Sequence, residues 1–165
     1  MRITQSLFVP FASLALTLAF TLAFAAPSLA QSTHLEIPGD KVQWGPAPPV
    51  LPAGAQIAVL EGNPAEKGAV VMRLKFPGNY NIPAHWHSMA ERITVLSGAF
   101  HVGMGEKLDR EKTVTLASGG FVSLPAKMNH FAWTSAPTVV QINLEGPFDL
   151  VYVNPADNPQ KTSTK

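Results

Sequence analysis

The sequence predicts an all-β fold, a sandwich or barrel of short antiparallel strands. Three observations lead there. Val, Ile, Thr and Phe recur in short apolar runs between residues 57 and 153. Turn-forming Gly, Pro, Asn and Ser interrupt those runs roughly every eight to twelve positions. No segment in this region sustains a helical period.

The elements follow in order. Residues 1–30 begin with Arg2, continue as an uncharged Leu-, Ala- and Phe-rich run from Leu7 to Ala26, and end in Pro27, Ser28 and Ala30. That is the pattern of a signal peptide, with cleavage expected after Ala30. The run is nearly long enough to span a bilayer, so an uncleaved anchor is the rival reading. Either way the domain behind it is expected to be exported, periplasmic or secreted, and after cleavage to have no stable membrane association. Residues 31–56 hold Pro38, Pro46, Pro48, Pro49 and Pro52 with Gly39, Gly45 and Gly54. That density excludes a helix and predicts an extended arm over the domain, with Trp44 as its anchor.

Strands are predicted at 57–62, 69–76, 91–98, 99–105, 112–119, 121–126, 130–135, 138–146 and 148–153, with Ser97-Gly98 as a tight hairpin turn. Residues 105–112 read as a loop or short helical turn. Residues 154–165 are polar and expected to fray.

Composition narrows the function. Without Arg2 the chain carries eleven basic and eleven acidic side chains, in no block of either sign. That argues against nucleic acid and against an electrostatic membrane patch. There is no cysteine, so the domain has neither disulfides nor thiolate chemistry, and any metal must be held through nitrogen and oxygen.

The stretch PAHWHSMAERITVLSG, residues 83–98, concentrates what remains. Residues two apart on a strand share a face, so His85 and His87 point one way and Trp86 the other. A bend is expected between His87 and Glu91. In ERITVLSG, Glu91 shares a side with Ile93 and Val95. If those two face the interior so does Glu91, and an ionised carboxylate there is costly without a cation or donor. His130 follows a Gly-Gly turn and Pro125. His34 lies in the arm. His101 alternates with Phe100, Val102 and Met104, so it is expected to point outward. The plainer alternatives are a surface pair of histidines beside two prolines, an exposed Glu91, and a His130 bonded to a carbonyl.

At these residues the chain resembles the cupin superfamily. Gly78, His85, His87, Glu91 and Gly98 stand in the roles of its first motif. Gly119, Pro125 and His130 stand in those of the second. Three departures mark the resemblance: the gap from Gly78 to His85 is one residue longer, Lys127 replaces a glycine, and Thr134 replaces an asparagine. The resemblance implies a cupin barrel or jelly roll over roughly 57–153, with His85, His87, Glu91 and His130 binding one divalent transition metal, and a homodimer. Three imidazoles and a carboxylate suit Mn, Fe, Ni, Cu or Zn.

Two functions stay open. One is a metal-dependent oxidoreductase of the dioxygenase kind, acting on a small organic molecule. The other is a non-catalytic small-ligand-binding or metal-sensing module. The first predicts a roomy, wet mouth with a further acid or base, and the second a mouth closed by bulky side chains or the arm. Phe76, Met89, Phe100, Met104, Phe121 and Leu124 read first as plain core and otherwise as the lining of a pocket around the metal. Gln141 and Asn143 face either outward or the barrel mouth.

Overall fold

The structure, a computed structural model, describes residues 34–162. The expected signal peptide, residues 1–30, lies outside the described residues.

Alternating apolar residues make two antiparallel sheets. The strands are β1 (Gly45–Pro46), β2 (Gln56–Glu61), β3 (Gly68–Phe76), β4 (Tyr80–Trp86), β5 (Glu91–Ser97), β6 (Ala99–Met104), β7 (Val114–Ala117), β8 (Phe121–Leu124), β9 (His130–Thr134), β10 (Thr138–Gly146) and β11 (Val151–Tyr152). One sheet runs β1-β2-β3-β10-β5-β8 and the other β11-β4-β9-β6-β7. Their inner faces share one core, in which Val70, Met72, Phe76, Val95 and Val140 of the first sheet meet Tyr80, Ile82, Phe100 and Ala132 of the second. Phe76 stacks on Tyr80 and Phe100 across the gap, at ring separations of 5.2 and 6.0 Å. The architecture is a jelly roll. The two sheets stay open at their edges, which corrects the barrel half of the expectation.

Several local expectations change. Ser97-Gly98 is not a hairpin, because β5 and β6 belong to different sheets. The chain crosses between sheets there. Gly98 takes φ 78°, and a Cβ on it would stand 2.5 Å from the Pro137 carbonyl oxygen, so the crossing needs glycine. Residues 148–150 are not strand, and only Val151–Tyr152 pair with β4. Of the tail, the described part carries a 3-10 turn at Pro155–Asp157 and a helical turn at Pro159–Thr162, and residues 163–165 lie outside the described residues. Asn154 starts the first of these by accepting the Ala156 N–H.

The described part of the arm carries a 3-10 turn at Gly39–Lys41 and a turn closed by the Leu51 N–H on the Pro48 carbonyl, so its prolines do not exclude every helical turn, and it is tied down at several points. β1 pairs with β2. Lys75 Nζ of β3 lies 4.3 Å over the Trp44 ring. The Tyr152 hydroxyl donates to the Val50 carbonyl at 2.7 Å, and the Tyr80 hydroxyl donates to the Pro52 carbonyl. The residue between those two carbonyls is Leu51, which is buried.

Candidate metal centre

β4 and β9 lie side by side, and their register makes His85 and His130 direct partners. Between Ile82↔Ala132 and His85↔His130 the pairing slips, so that Pro83 and Ala84 oppose Phe131 alone. This is a β-bulge at a proline, which has no N–H to give the ladder. It resets the alternation: Ile82 is buried, and three residues later His85 is buried too. His87 then follows on the same face, with Trp86 on the other.

After β4 the chain bends through Ser88–Ala90 and enters the opposite sheet at Glu91. Ile93 and Val95 face the core, so Glu91 does as well. His85, His87, Glu91 and His130 are each 3–4 % exposed. The ring nitrogens of the three histidines that could hold a metal lie within 4.8 Å of one another. Glu91 Oε2 stands 3.5 Å from His87 Nε2 and 3.8 Å from His130 Nε2. The structure therefore brings together all four residues that the sequence singled out. It leaves His34 exposed in the arm and turns His101 to the outer face.

The outward nitrogens are all committed. His85 Nδ1 donates to the Pro83 carbonyl at 2.7 Å and His130 Nδ1 to the Met128 carbonyl at 2.9 Å. His87 Nδ1 donates to the Asp149 carbonyl. A carbonyl only accepts, so each neutral ring carries its proton on Nδ1 and presents an Nε2 lone pair to the shared space. His87 Nε2 is buried without a hydrogen-bond partner. Lone pairs and a carboxylate converging in a buried place repel each other unless a cation stands among them, so the donor set fits a divalent metal.

The electrostatics agree. Burial, followed by the neighbouring His130 and His87, holds His85 well below the ordinary imidazole pKa. Burial also lowers His130. His87 goes the other way: burial opposes its charge, but the Glu91 carboxylate and the Asp149 carbonyl together raise it. Without a metal, a proton on His87 is the nearest substitute for one.

The four side chains open onto a cavity of about 30 Å³. Leu51, Phe76, Phe100, Phe148 and Leu150 supply much of its apolar wall. Among the lining residues no titratable group accompanies the four. Phe76 and Phe100 line it while belonging to the core, and Leu124 and Met89 pack in the core around it. Met104 and Phe121 do not line it. They are 46 % and 57 % exposed, beside a surface groove with Val114 and Leu116. β7 and β8 end their sheets, so no further strand covers side chains on that margin. Gln141 faces outward, where its Oε1 accepts from Arg73 Nε at 3.1 Å. Asn143 lies on the same side of β10, opposite the buried Val140, Ile142 and Leu144.

Sequence reasoning missed Leu51, Phe148, Leu150 and Asp149. For Pro83 and Met128 a signal existed, since each lies two residues before the histidine it orients. Asp149 is 62 positions from His87 and had none.

Residues 33–148 match the sequence model of the ChrR cupin-like domain. No curated protein matches the chain. Among solved structures, the polyketide cyclase RemF from Streptomyces resistomycificus is 15% identical with a TM-score of 0.57, the match covering 81% of this chain and 94% of that one. KdgF from Halomonas sp. is 21% identical, with a TM-score of 0.53 over 70% of this chain and 94% of that one. An RmlC-like cupin from Shewanella frigidimarina is 16% identical, with a TM-score of 0.53 over 69% and 91%. At these identities the likeness is one of fold.

Proposed function

This chain belongs to the ChrR cupin-like domain family, and from that premise we propose that it is an exported metal-binding cupin that holds a small ligand. His85, His87, Glu91 and His130 hold one divalent transition metal, drawn from Mn, Fe, Ni, Cu and Zn. One observation carries this reading. Three imidazoles with committed Nδ1 protons aim Nε2 at one buried space shared with the Glu91 carboxylate, and His87 Nε2, 3.5 Å from Glu91 Oε2, makes no hydrogen bond there among the described residues. A bound ion would supply Lewis acidity and, for Fe, Mn or Cu, one-electron chemistry.

The chain's own residues limit what can meet it. A cavity of about 30 Å³ admits one or two water-sized molecules. Leu51 from the arm and Phe148 and Leu150 from the segment after β10 close its apolar wall. Among the described lining residues no acid or base beyond the four stands there to move a proton, which favours a small-ligand-binding or sensing module over general acid–base turnover. An oxidoreductase of the dioxygenase kind is the second reading. The apolar wall favours it, because dioxygen is small and apolar and enters such a space without a hydrogen-bonding partner. Export to the periplasm or medium and a homodimeric assembly belong to the same proposal.

The test is metal content by mass spectrometry, on protein recovered from the exported compartment beside the His85→Ala/His130→Ala variant. Near-stoichiometric metal in the wild type and none in the variant is the expected result. Equal metal in both would overturn the ligand assignment. Dioxygen uptake by Fe(II)-loaded protein, alone and as the cavity-opening Leu51→Ala variant given small chelating enols, then separates the two readings.

A further inference from the structure

The third imidazole is held differently from the other two. His85 and His130 take their carbonyl partners from two residues back on their own chain segment, so their ring orientation is a local property. His87 takes its partner from residues 147–150, the strap between β10 and β11.

That strap grips the His87–Ser88 segment at several points. His87 Nδ1 donates to the Asp149 carbonyl. The Ser88 N–H donates to Asp149 Oδ1 at 2.7 Å. The Phe148 ring lies 5.3 Å from the His87 ring, with planes inclined at 34°. The Phe148 N–H donates in turn to the Pro64 carbonyl at 2.7 Å, which fixes the strap from its other side. Asp149 thus meets two successive residues with two oxygens, one from its backbone and one from its side chain. Its carboxylate does not line the cavity.

We propose that Asp149 is a positioning residue of the metal centre. Its carboxylate clamps the Ser88 N–H, which keeps the Asp149 carbonyl at His87 Nδ1 and locks that ring as the Nδ1–H tautomer. This rests on the reading that the site holds a metal. It goes further by assigning the orientation of one ligand to a residue far off in sequence. A carboxylate accepting a backbone N–H is a strong clamp. The groups that orient a ligating histidine typically govern affinity by about 10–100-fold.

The test compares wild type, Asp149→Ala and Asp149→Asn. The first readout is the ¹⁵N NMR tautomer state of His87 in metal-free protein at mildly alkaline pH. The second is Zn(II) affinity by competition with a chromophoric chelator. In wild type His87 should be a single Nδ1–H tautomer. Asp149→Ala should mix the tautomers and weaken zinc by about 10–100-fold. Asp149→Asn should restore both, because its amide oxygen still accepts the Ser88 N–H. The proposal is overturned if the alanine variant keeps the single tautomer and wild-type affinity, or if asparagine fails as badly as alanine while remaining folded. Wild-type protein that takes up no zinc would overturn the metal reading instead, and the tautomer measurement would still decide the role of Asp149.

Discussion

The two faces of the five-stranded sheet treat histidine in opposite ways. On the inner face His85, His87 and His130 turn their Nε2 atoms toward one space shared with Glu91. On the outer face His101 pairs directly across the strands with Trp133, and its ring stacks on the indole at 3.7 Å and 8°. Arg110 caps that indole at 4.4 Å and donates to Asn81 at 3.0 Å. His101 Nδ1 bonds the Thr115 hydroxyl at 2.8 Å. His87 and His101 each have a buried Nε2 without a hydrogen-bond partner. An orphaned nitrogen is therefore not enough to mark a metal site. What separates the faces is the company: other lone pairs and a carboxylate inside, an aromatic face and a guanidinium outside.

The largest expected effect comes from breaking each face in turn. His87→Ala should abolish zinc uptake and leave Glu91 buried without a counter-charge. His101→Ala should retain full uptake. Free zinc at about a thousand times its Kd would stabilise wild type by about 4 kcal/mol. Calorimetric unfolding with and without zinc should show that gain in wild type and His101→Ala, and no gain in His87→Ala. If His101→Ala lost the zinc response, the division between the faces would be wrong.

The next effect concerns closure, which only the inner face has. Leu51 is held over the cavity because the carbonyls on either side of it accept the Tyr152 and Tyr80 hydroxyls. Burial, with Asp157 behind it, pushes the Tyr152 phenol up to about 12, so that hydroxyl remains a donor at every ordinary pH. Leu51→Ala should cost roughly 2 kcal/mol, the lower end for a buried leucine, because the arm can collapse into the space. It should also let a Co(II)-loaded site accept catechol as well as azide, seen as changes in the visible spectrum. Unchanged selectivity would mean that Phe148 and Leu150 alone set the limit.

Much of this was readable from residue spacing. The strand pattern gave the all-β fold. The two-residue spacing put His85 and His87 on one face, the alternation with Ile93 and Val95 turned Glu91 inward, and the alternation with Phe100 and Val102 turned His101 outward. The same reasoning failed at Met104, because alternation reports which side a residue faces and not whether another strand covers it. It also gave no warning of the bulge at Pro83–Ala84, which resets the alternation just before the first histidine. Leu51, Phe148 and Asp149 stayed invisible for a different reason. They act through chain reversals and backbone carbonyls, and no residue type announces those.

pH sharpens the comparison further. In metal-free protein His85 and His130 have lowered pKa values because burial disfavours their charge, and burial and then Arg110 lower His101. A lowered histidine binds fewer protons folded than unfolded, so stability should rise with pH up to the ordinary imidazole range and fall below it. His87, raised, contributes the reverse: its share is present in acid and is lost as pH rises through its folded value. The two contributions act in different windows, so stability should rise with pH up to the ordinary imidazole value and fall above it as His87 loses its proton. Urea unfolding across this range should show it, with His101→Gln removing only the outer part of the slope. Zinc should steepen the inner part, because protons compete for its ligands. A flat profile in the metal-free protein would contradict the burial account of the inner face.

The smallest effect tests whether the inner site depends on the chemistry of its turn or only on its backbone. Lys127 stands where the resembled motif carries glycine, and it takes φ 62°, the left-handed conformation that glycine accepts more readily. Its N–H donates to the His87 carbonyl at 2.7 Å, so the turn braces the end of the ligand strand without using the lysine side chain. Lys127→Gly removes a left-handed strain of about 1 kcal/mol. It also gives the unfolded chain freedom that offsets roughly half of that. The expected result is a gain of about 0.5 kcal/mol with zinc affinity unchanged. Lys127→Pro, which has neither the N–H nor access to positive φ, should instead lose both stability and zinc. If Lys127→Gly weakened zinc, the ammonium group rather than the backbone would be what supports His87, and the departure from glycine would be a functional feature of this chain.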